Sequence, residues 1–169
     1  MIVPSTSESG LVAPLELDSS MIKVTLRPAT PEDTDFARNV HRDAYHDVVV
    51  RQFGDWDDEA QGSYFASSWD HPGFEIVSYD GKPCGYSRIE KGDGAIHAHE
   101  LVLLPEVQGK GIGTACLVEA QKRATKQDVP IQLEVLKFNR AAELYERMGF
   151  IKIGETDTHN QMEWRSSAL

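Results

Sequence analysis

Cysteine is scarce in this 169-residue chain, with Cys84 and Cys116 alone. Two thiols make no disulfide framework, and no segment has the form of a secretory signal, so a reducing, cytoplasmic setting is expected. Long apolar runs are missing as well: nothing approaches the roughly 18 residues of a membrane span, and no membrane contact is expected. Basic side chains are few, 17 Lys and Arg against 27 Asp and Glu, for a formal net charge of -10. Such a field repels polyanions and draws cations, which argues against nucleic acid as a partner and in favour of an amine. Metal-binding patterns are equally thin. His97 and His99 stand on alternate positions of "HAH", but spacing supplies no third ligand and there is no HExxH-like motif, so no metal is expected.

What is present is the composition of one globular domain, 40% hydrophobic and 26% charged. Positions 1–20 show no regular pattern and are expected to form a flexible leader, with a single domain over 21–169. Ile22, Val24 and Leu26 alternate with polar neighbours, which predicts a strand. Thr30, Pro31, Glu32 and Asp33 make a helix start, and Phe36, Val40, Ala44 and Val48 recur every fourth residue, predicting a helix over about 31–51. A shorter helix is expected after Asp55 or Asp57, carrying Ala60, Tyr64, Phe65 and Trp69. From Phe74, three strand-like runs are broken by "DGKP" and "KGDG", the pattern of an antiparallel meander. A helix from Thr114, a strand "PIQLEVL", a helix between Asn139 and Gly149 and a last pair of strands complete the order.

The sequence from Leu104 to Gln121, "LPEVQGKGIGTACLVEAQ", places glycines at 109, 111 and 113 between a strand and a helix, a generic anion site. It is not a nucleotide-triphosphate loop, because Lys110 is followed by Gly111 rather than by Ser or Thr. A dinucleotide fingerprint would need glycine at Thr114 or Cys116 and a parallel setting. The remaining pattern, Gln108-x-x-Gly111-x-Gly113, resembles the pyrophosphate loop of the GNAT superfamily of acyl-CoA-dependent N-acyltransferases. "HAHELVLLPEVQGKGIGTACLVEAQ" is similar to that family's strand, loop and helix, and "LEVLKFNRAAELYERMGF" to its following strand, Asn, Leu-Tyr helix and closing Gly-Phe. With the order of elements, the likeness runs from about Ile22 to Trp164.

The resemblance implies a mixed α/β fold with a mostly antiparallel central sheet flanked by helices. It implies acetyl-CoA as cosubstrate, direct acetyl transfer to a primary amine in a ternary complex, and no metal. The pantetheine arm would pair with the backbone of Leu101, Val102 and Leu103. Gln108, Gly109, Lys110, Gly111, Ile112, Gly113 and Thr114 would surround the pyrophosphate, with Lys110 adding positive charge, and Asn139 would cap its helix and contact the cofactor arm. Tyr145 matches the general acid that protonates the leaving thiolate. For the general base, Glu134 ranks first, with Glu100, His97, His99 and water as alternatives. Glu100 is expected on the opposite strand face from both histidines. The acidic run Asp55–Glu59, with Trp56, is expected either to overhang the acceptor or to be a solvated helix start, and His159 is similarly placed. The acceptor is a small molecule or a peptide amine, monomer and homodimer are both compatible with the sequence, and a non-catalytic acyl-CoA-binding module is the alternative function.

Overall fold

Turn chemistry decides where the strands reverse. Asp80 and Gly81 both have positive φ (48° and 79°), the tight hairpin turn that an Asp-Gly pair favours. It joins β3 (Glu75–Tyr79) to β4 (Lys82–Lys91), and Gly94 (φ 70°) turns β4 into β5 (Ile96–Leu103). The structure, a computed structural model, describes residues 14–17 and 23–167. Before the meander come β1 (Leu15–Leu17), β2 (Val24–Pro28), α1 (Thr34–Phe53) and α2 (Asp58–Trp69). After it come α3 (Ile112–Gln127), β6 (Ile131–Leu136), α4 (Ala141–Arg147), β7 (Ile151–Glu155) and β8 (His159–Trp164). The eight strands form one sheet in the order β1-β2-β3-β4-β5-β6-β8-β7, antiparallel throughout except for β5 beside β6. This is the mixed α/β architecture expected from the sequence.

Two boundaries before the meander differ from the sequence pattern. Leu15–Leu17 falls within the expected leader yet pairs with β2, because Leu-Glu-Leu alternates and Leu17 is buried beneath the start of α3, beside Ile112, Ala115 and Cys116. The rest of the leader, 1–13 and 18–20, lies outside the described residues, as does Ile22. α1 starts later than expected: Pro31–Asp33 form a 3-10 turn, held by Asp33, whose carboxylate accepts from the Thr30 amide at 2.8 Å and from both Arg27 guanidinium nitrogens at 2.9 and 2.8 Å.

Helices cover both faces. α1 and α2 bury Ala37, Val40 and Phe65 against Phe74, Ile76, Tyr86 and Val102 on one side. On the other, α3 and α4 bury Leu117, Ala120 and Tyr145 against Ile96, Ala98, Leu133 and Met162. The feature that positions a site lies between β5 and β6. They pair only at Ile96↔Ile131 and His97↔Gln132, then diverge, opening a wedge at their carboxyl ends.

A β-bulge modifies this wedge. Arg88 pairs with Glu100 and Ile89 with Ala98, which leaves His99 as the extra residue of β5. The expectation that Glu100 faces away from His97 and His99 is therefore corrected. Glu100 shares a face with Arg88, and His97 with Glu90. Because Arg88 and Glu90 stand two apart on β4, all four look toward the α1–α2 side.

Candidate active site

The glycine loop follows β5 through a 3-10 turn at Pro105–Val107. Gly109 (φ 78°) and Gly111 (φ 85°) take left-handed conformations that side chains other than glycine rarely adopt, and Gly111 leads directly into α3. Ala115 donates to the Gly111 carbonyl at 3.0 Å, which leaves the amides of Ile112, Gly113 and Thr114 at the helix start without an acceptor in the helix. α3 thus begins two residues before the expected Thr114. Ile112 is 1% exposed and can offer a ligand only its backbone. Gly113 is a packing residue: a Cβ there would stand 3.1 Å from Leu144 Cδ2, so the glycine lets α4 approach α3.

Not every expected contact faces the ligand groove. Gln108 Nε2 donates to the Leu103 carbonyl at 3.0 Å, so its amide braces the loop against β5. Val102 has its carbonyl turned toward Gly85 on β4, and Leu104 of the same parity donates to Cys84 at 2.9 Å. The backbone groups of Leu101 and Leu103 therefore face the wedge, and those of Val102 do not. Asn139 accepts from the Ala141 amide at 2.9 Å, the expected capping contact.

Two cavities meet in the wedge. The first, about 430 Å³, runs from the glycine loop past Leu101, Leu103 and Thr114 to α4; Arg140 and Arg147 line it, and no carboxylate does. The second, about 330 Å³, lies under α1 and α2; Glu100 and Glu134 line it, and no lysine or arginine does. Tyr45, Leu101, Asn139, Ala141 and Tyr145 belong to both walls, so Tyr145 stands where the two join.

The model of the acetyltransferase (GNAT) family matches residues 36–150, most of the chain. The chain belongs to this family. An uncharacterized N-acetyltransferase of Methanocaldococcus jannaschii is 37% identical over 91 residues, 48% of this chain and 40% of the relative, so the chain spans less than half the length of that protein. Among solved structures, the fold is similar to the PaiA N-acetyltransferase of Thermoplasma acidophilum in complex with coenzyme A (TM-score 0.69, 19% identity, covering 84% of this chain and 98% of that one). It is also similar to the ribosomal-protein-S18-alanine N-acetyltransferase of Escherichia coli (TM-score 0.61, 19% identity, 86% and 96%). At these identities the structures establish the fold.

Within this GNAT domain the second cavity holds the titratable groups. Tyr145 is buried edge-on to Phe150 at 5.6 Å; burial first, and the charge of Glu100 second, push its phenol up to about 12. Glu100 is half-buried and lines the second cavity, and burial raises it to about 7, against the opposing effects of Ser68, Arg88 and Tyr45; Ser68 Oγ donates to it at 3.3 Å. Glu134 is more open, accepting from Gln161 Nε2 at 3.1 Å. His99 bonds Glu90 at 3.3 Å and stacks on His97 at 5.6 Å, and burial lowers its pKa. His159 bonds Thr158 Oγ1 at 2.7 Å.

Several wall residues were not singled out by the sequence pattern, His41, Tyr45 and Gln61, and Tyr64 was expected only as part of the pattern of α2. His41 is buried among Tyr45, Trp56, Tyr64 and Phe65, bonds Gln61 at 3.1 Å, and has its pKa lowered by burial. The available signal was a second i, i+4 stripe on α1, His41-Tyr45-Val49-Phe53, beside the apolar one. The acidic run, by contrast, lies outside both cavities. Asp57 caps α2 by accepting from the Ala60 amide at 2.9 Å, and Asp58 accepts from Trp56 Nε1 at 2.8 Å. Cys84 and Cys116 are buried in the core, their thiols pushed up to about 11 and about 12 by burial, which makes neither a nucleophile. Among the described residues, no group of three or more His, Cys, Asp or Glu is arranged to hold a metal, and no helix is long and apolar enough to cross a membrane.

Proposed function

We propose that this protein transfers the acetyl group of acetyl-CoA to a primary amine by direct attack in a ternary complex. The observation that carries the reading is the sorting of charge about Tyr145: arginines without carboxylates on the loop side, carboxylates without lysine or arginine on the other. An anionic cofactor suits the first cavity, and a cationic acceptor the second. The coenzyme A bound to the PaiA structure supports the cofactor half through the shared fold.

In this reading Gly109, Gly111 and the free amides of Ile112, Gly113 and Thr114 receive the pyrophosphate, Lys110 adds charge, and Leu101 and Leu103 border the pantetheine. The amine nitrogen attacks the thioester carbonyl carbon, the C–N bond forms and the C–S bond breaks. Tyr145 donates to the departing sulfur, and the amine gives up a proton. We assign that proton to Glu100 rather than to the first-ranked Glu134, because a carboxylate at about 7 beside Tyr145 is matched to a base acting near neutrality. A phenol at about 12 stays protonated at neutral pH, so the donor is always in place, and its hydrogen bond strengthens as negative charge develops on sulfur.

The test is thiol release from acetyl-CoA over a panel of amines, paired with calorimetry. Tyr145→Phe keeps the packing on Phe150 and removes the donor; kcat should fall by roughly 10- to 1000-fold with acetyl-CoA affinity nearly intact. A variant as fast as the parent retires Tyr145 as the acid. Acetyl-CoA binding without thiol release on any amine would identify a binding module instead.

A further inference from the structure

The acceptor cavity contains more information than a preference for cations. Glu100 stands beside Tyr145, whereas Glu134 stands on the other strand of the wedge. Gln132 is level with His97 across β5 and β6, so Glu134, two residues on, looks out of the same face as Glu100, and the strands diverge between them. Their backbone positions are thus at least one strand spacing apart, roughly 4.8 Å, and more where the wedge opens. The rings of Tyr45, Tyr64 and His41 line the same cavity, and burial lowers the pKa of His41.

The cavity also continues. Glu134 and His99 line a further groove of about 460 Å³ over the open face of β6 and β8, with Gln132, Ile153 and Gln161, again without lysine or arginine. Lys137, just beyond β6, is engaged with Glu155 at 3.3 Å, and Arg88, behind Glu100, lies 3.3 Å from Glu90 and over the Phe74 ring. No cation on these walls stands ready for a carboxylate or phosphate next to the acceptor's reacting amine. Gln52, whose amide donates to the Thr158 carbonyl at 2.8 Å and accepts from the Phe138 amide at 3.1 Å, ties α1 to the loops that follow β6 and precede β8.

We infer that the acceptor is a linear aliphatic diamine or longer polyamine, whose reacting nitrogen lies between Glu100 and Tyr145 and whose second ammonium group is held by Glu134. The inference rests on the transferase reading above and adds the second cationic centre. Methylenes suit the aromatic rings that share the cavity with the two carboxylates, and a third amino group would extend over the Gln132–Gln161 groove. Glu134 then serves as a specificity residue.

The experiment compares kcat/KM for an α,ω-diaminoalkane, an n-alkylamine of equal length, an ω-amino carboxylate of equal length and a short peptide with a free N-terminus. Each is assayed at low and high salt with the parent protein and with Glu134→Gln. The diamine should exceed the alkylamine by at least about 5-fold at low salt, with the gap narrowing at high salt, as expected for a partly exposed ion pair. The amino carboxylate should fall below the alkylamine. Glu134→Gln should bring the ratio of diamine to alkylamine to about 1, chiefly through KM. The inference is overturned if the parent ratio is already near 1, if the peptide is the best acceptor, or if Glu134→Gln slows both amines alike and leaves their ratio intact, which is the behaviour of a general base. The alkylamine separates the two readings: its turnover without a diamine advantage leaves the transferase standing, whereas no thiol release with any amine removes both.

Discussion

Glu100 shows how one residue exchanges stability for chemistry. Its carboxyl is raised from 4.5 to about 7 mainly by burial, so the folded protein holds that proton more tightly than the unfolded chain does. The contribution to stability is therefore fully present below about pH 4.5 and is lost as pH rises through about 7, a change worth about 3 kcal/mol if the whole shift is realised. Two outcomes follow from the same sign. kcat/KM should climb with pH through about 7 as the carboxylate forms, and Glu100→Gln should remove that limb and slow the reaction by roughly 100-fold or more. The same variant should melt above the parent at pH 8 and lose the advantage toward pH 5. Rate–pH profiles and thermal melts on the two proteins check both, and a parent profile flat between pH 6 and 8 removes Glu100 as the base.

At the scale of elements, the start of α3 divides two tasks between glycines that look alike in sequence. Gly111, at φ 85°, cannot carry a branched side chain without strain of roughly 1–2 kcal/mol and loss of the loop's amide geometry. Gly111→Val should weaken acetyl-CoA binding by at least about 10-fold. Gly113 lies inside the helix, where an added Cβ must displace Leu144, the neighbour of Tyr145. Gly113→Ala should leave acetyl-CoA affinity within about 3-fold while lowering kcat, because it shifts Leu144 and with it Tyr145, the proposed acid, rather than the loop. Calorimetry set against initial rates separates the two, and equal losses of affinity in both variants would refute this division. The sequence alone grouped these glycines as one phosphate motif, since spacing records a backbone pattern and not which neighbour closes over it.

Across the whole molecule, what was legible followed the locality of its cause. Strand reversals at Asp80-Gly81 and Gly94, the stop at Gly149 and the glycine loop are each set within a few residues, and all were expected in place. The second cavity is lined from α1, α2, β5 and β6 among others, so His41, Gln61, Tyr64, Glu100 and Glu134 meet only once the sheet has formed. Strand alternation put Glu100 on the wrong face because the bulge at His99 adds a residue, and nothing in "HAHE" announces it. Leu15–Leu17 was missed because three residues are too short for alternation to register, although burial of Leu17 gives them a place in the sheet. The acidic run Asp55–Glu59 was read as a lure for cations or a helix start; Asp57 spends its carboxylate on the Ala60 amide.

The two cysteines give this protein a built-in clock. Both thiols belong to one buried cluster with the start of α3, and burial raises both well above neutrality, so little thiolate is available to attack an aromatic disulfide reagent added to the native protein. In the thiol-release assay the reagent should therefore report free coenzyme A with little background from the protein. Its slow reaction with Cys84 and Cys116 measures how often this part of the core opens. Saturating acetyl-CoA should slow the modification in proportion to bound fraction, since a ligand that holds only the closed form suppresses opening by mass action. Labelling that is fast and indifferent to acetyl-CoA would place the loop's helix outside the cooperative core.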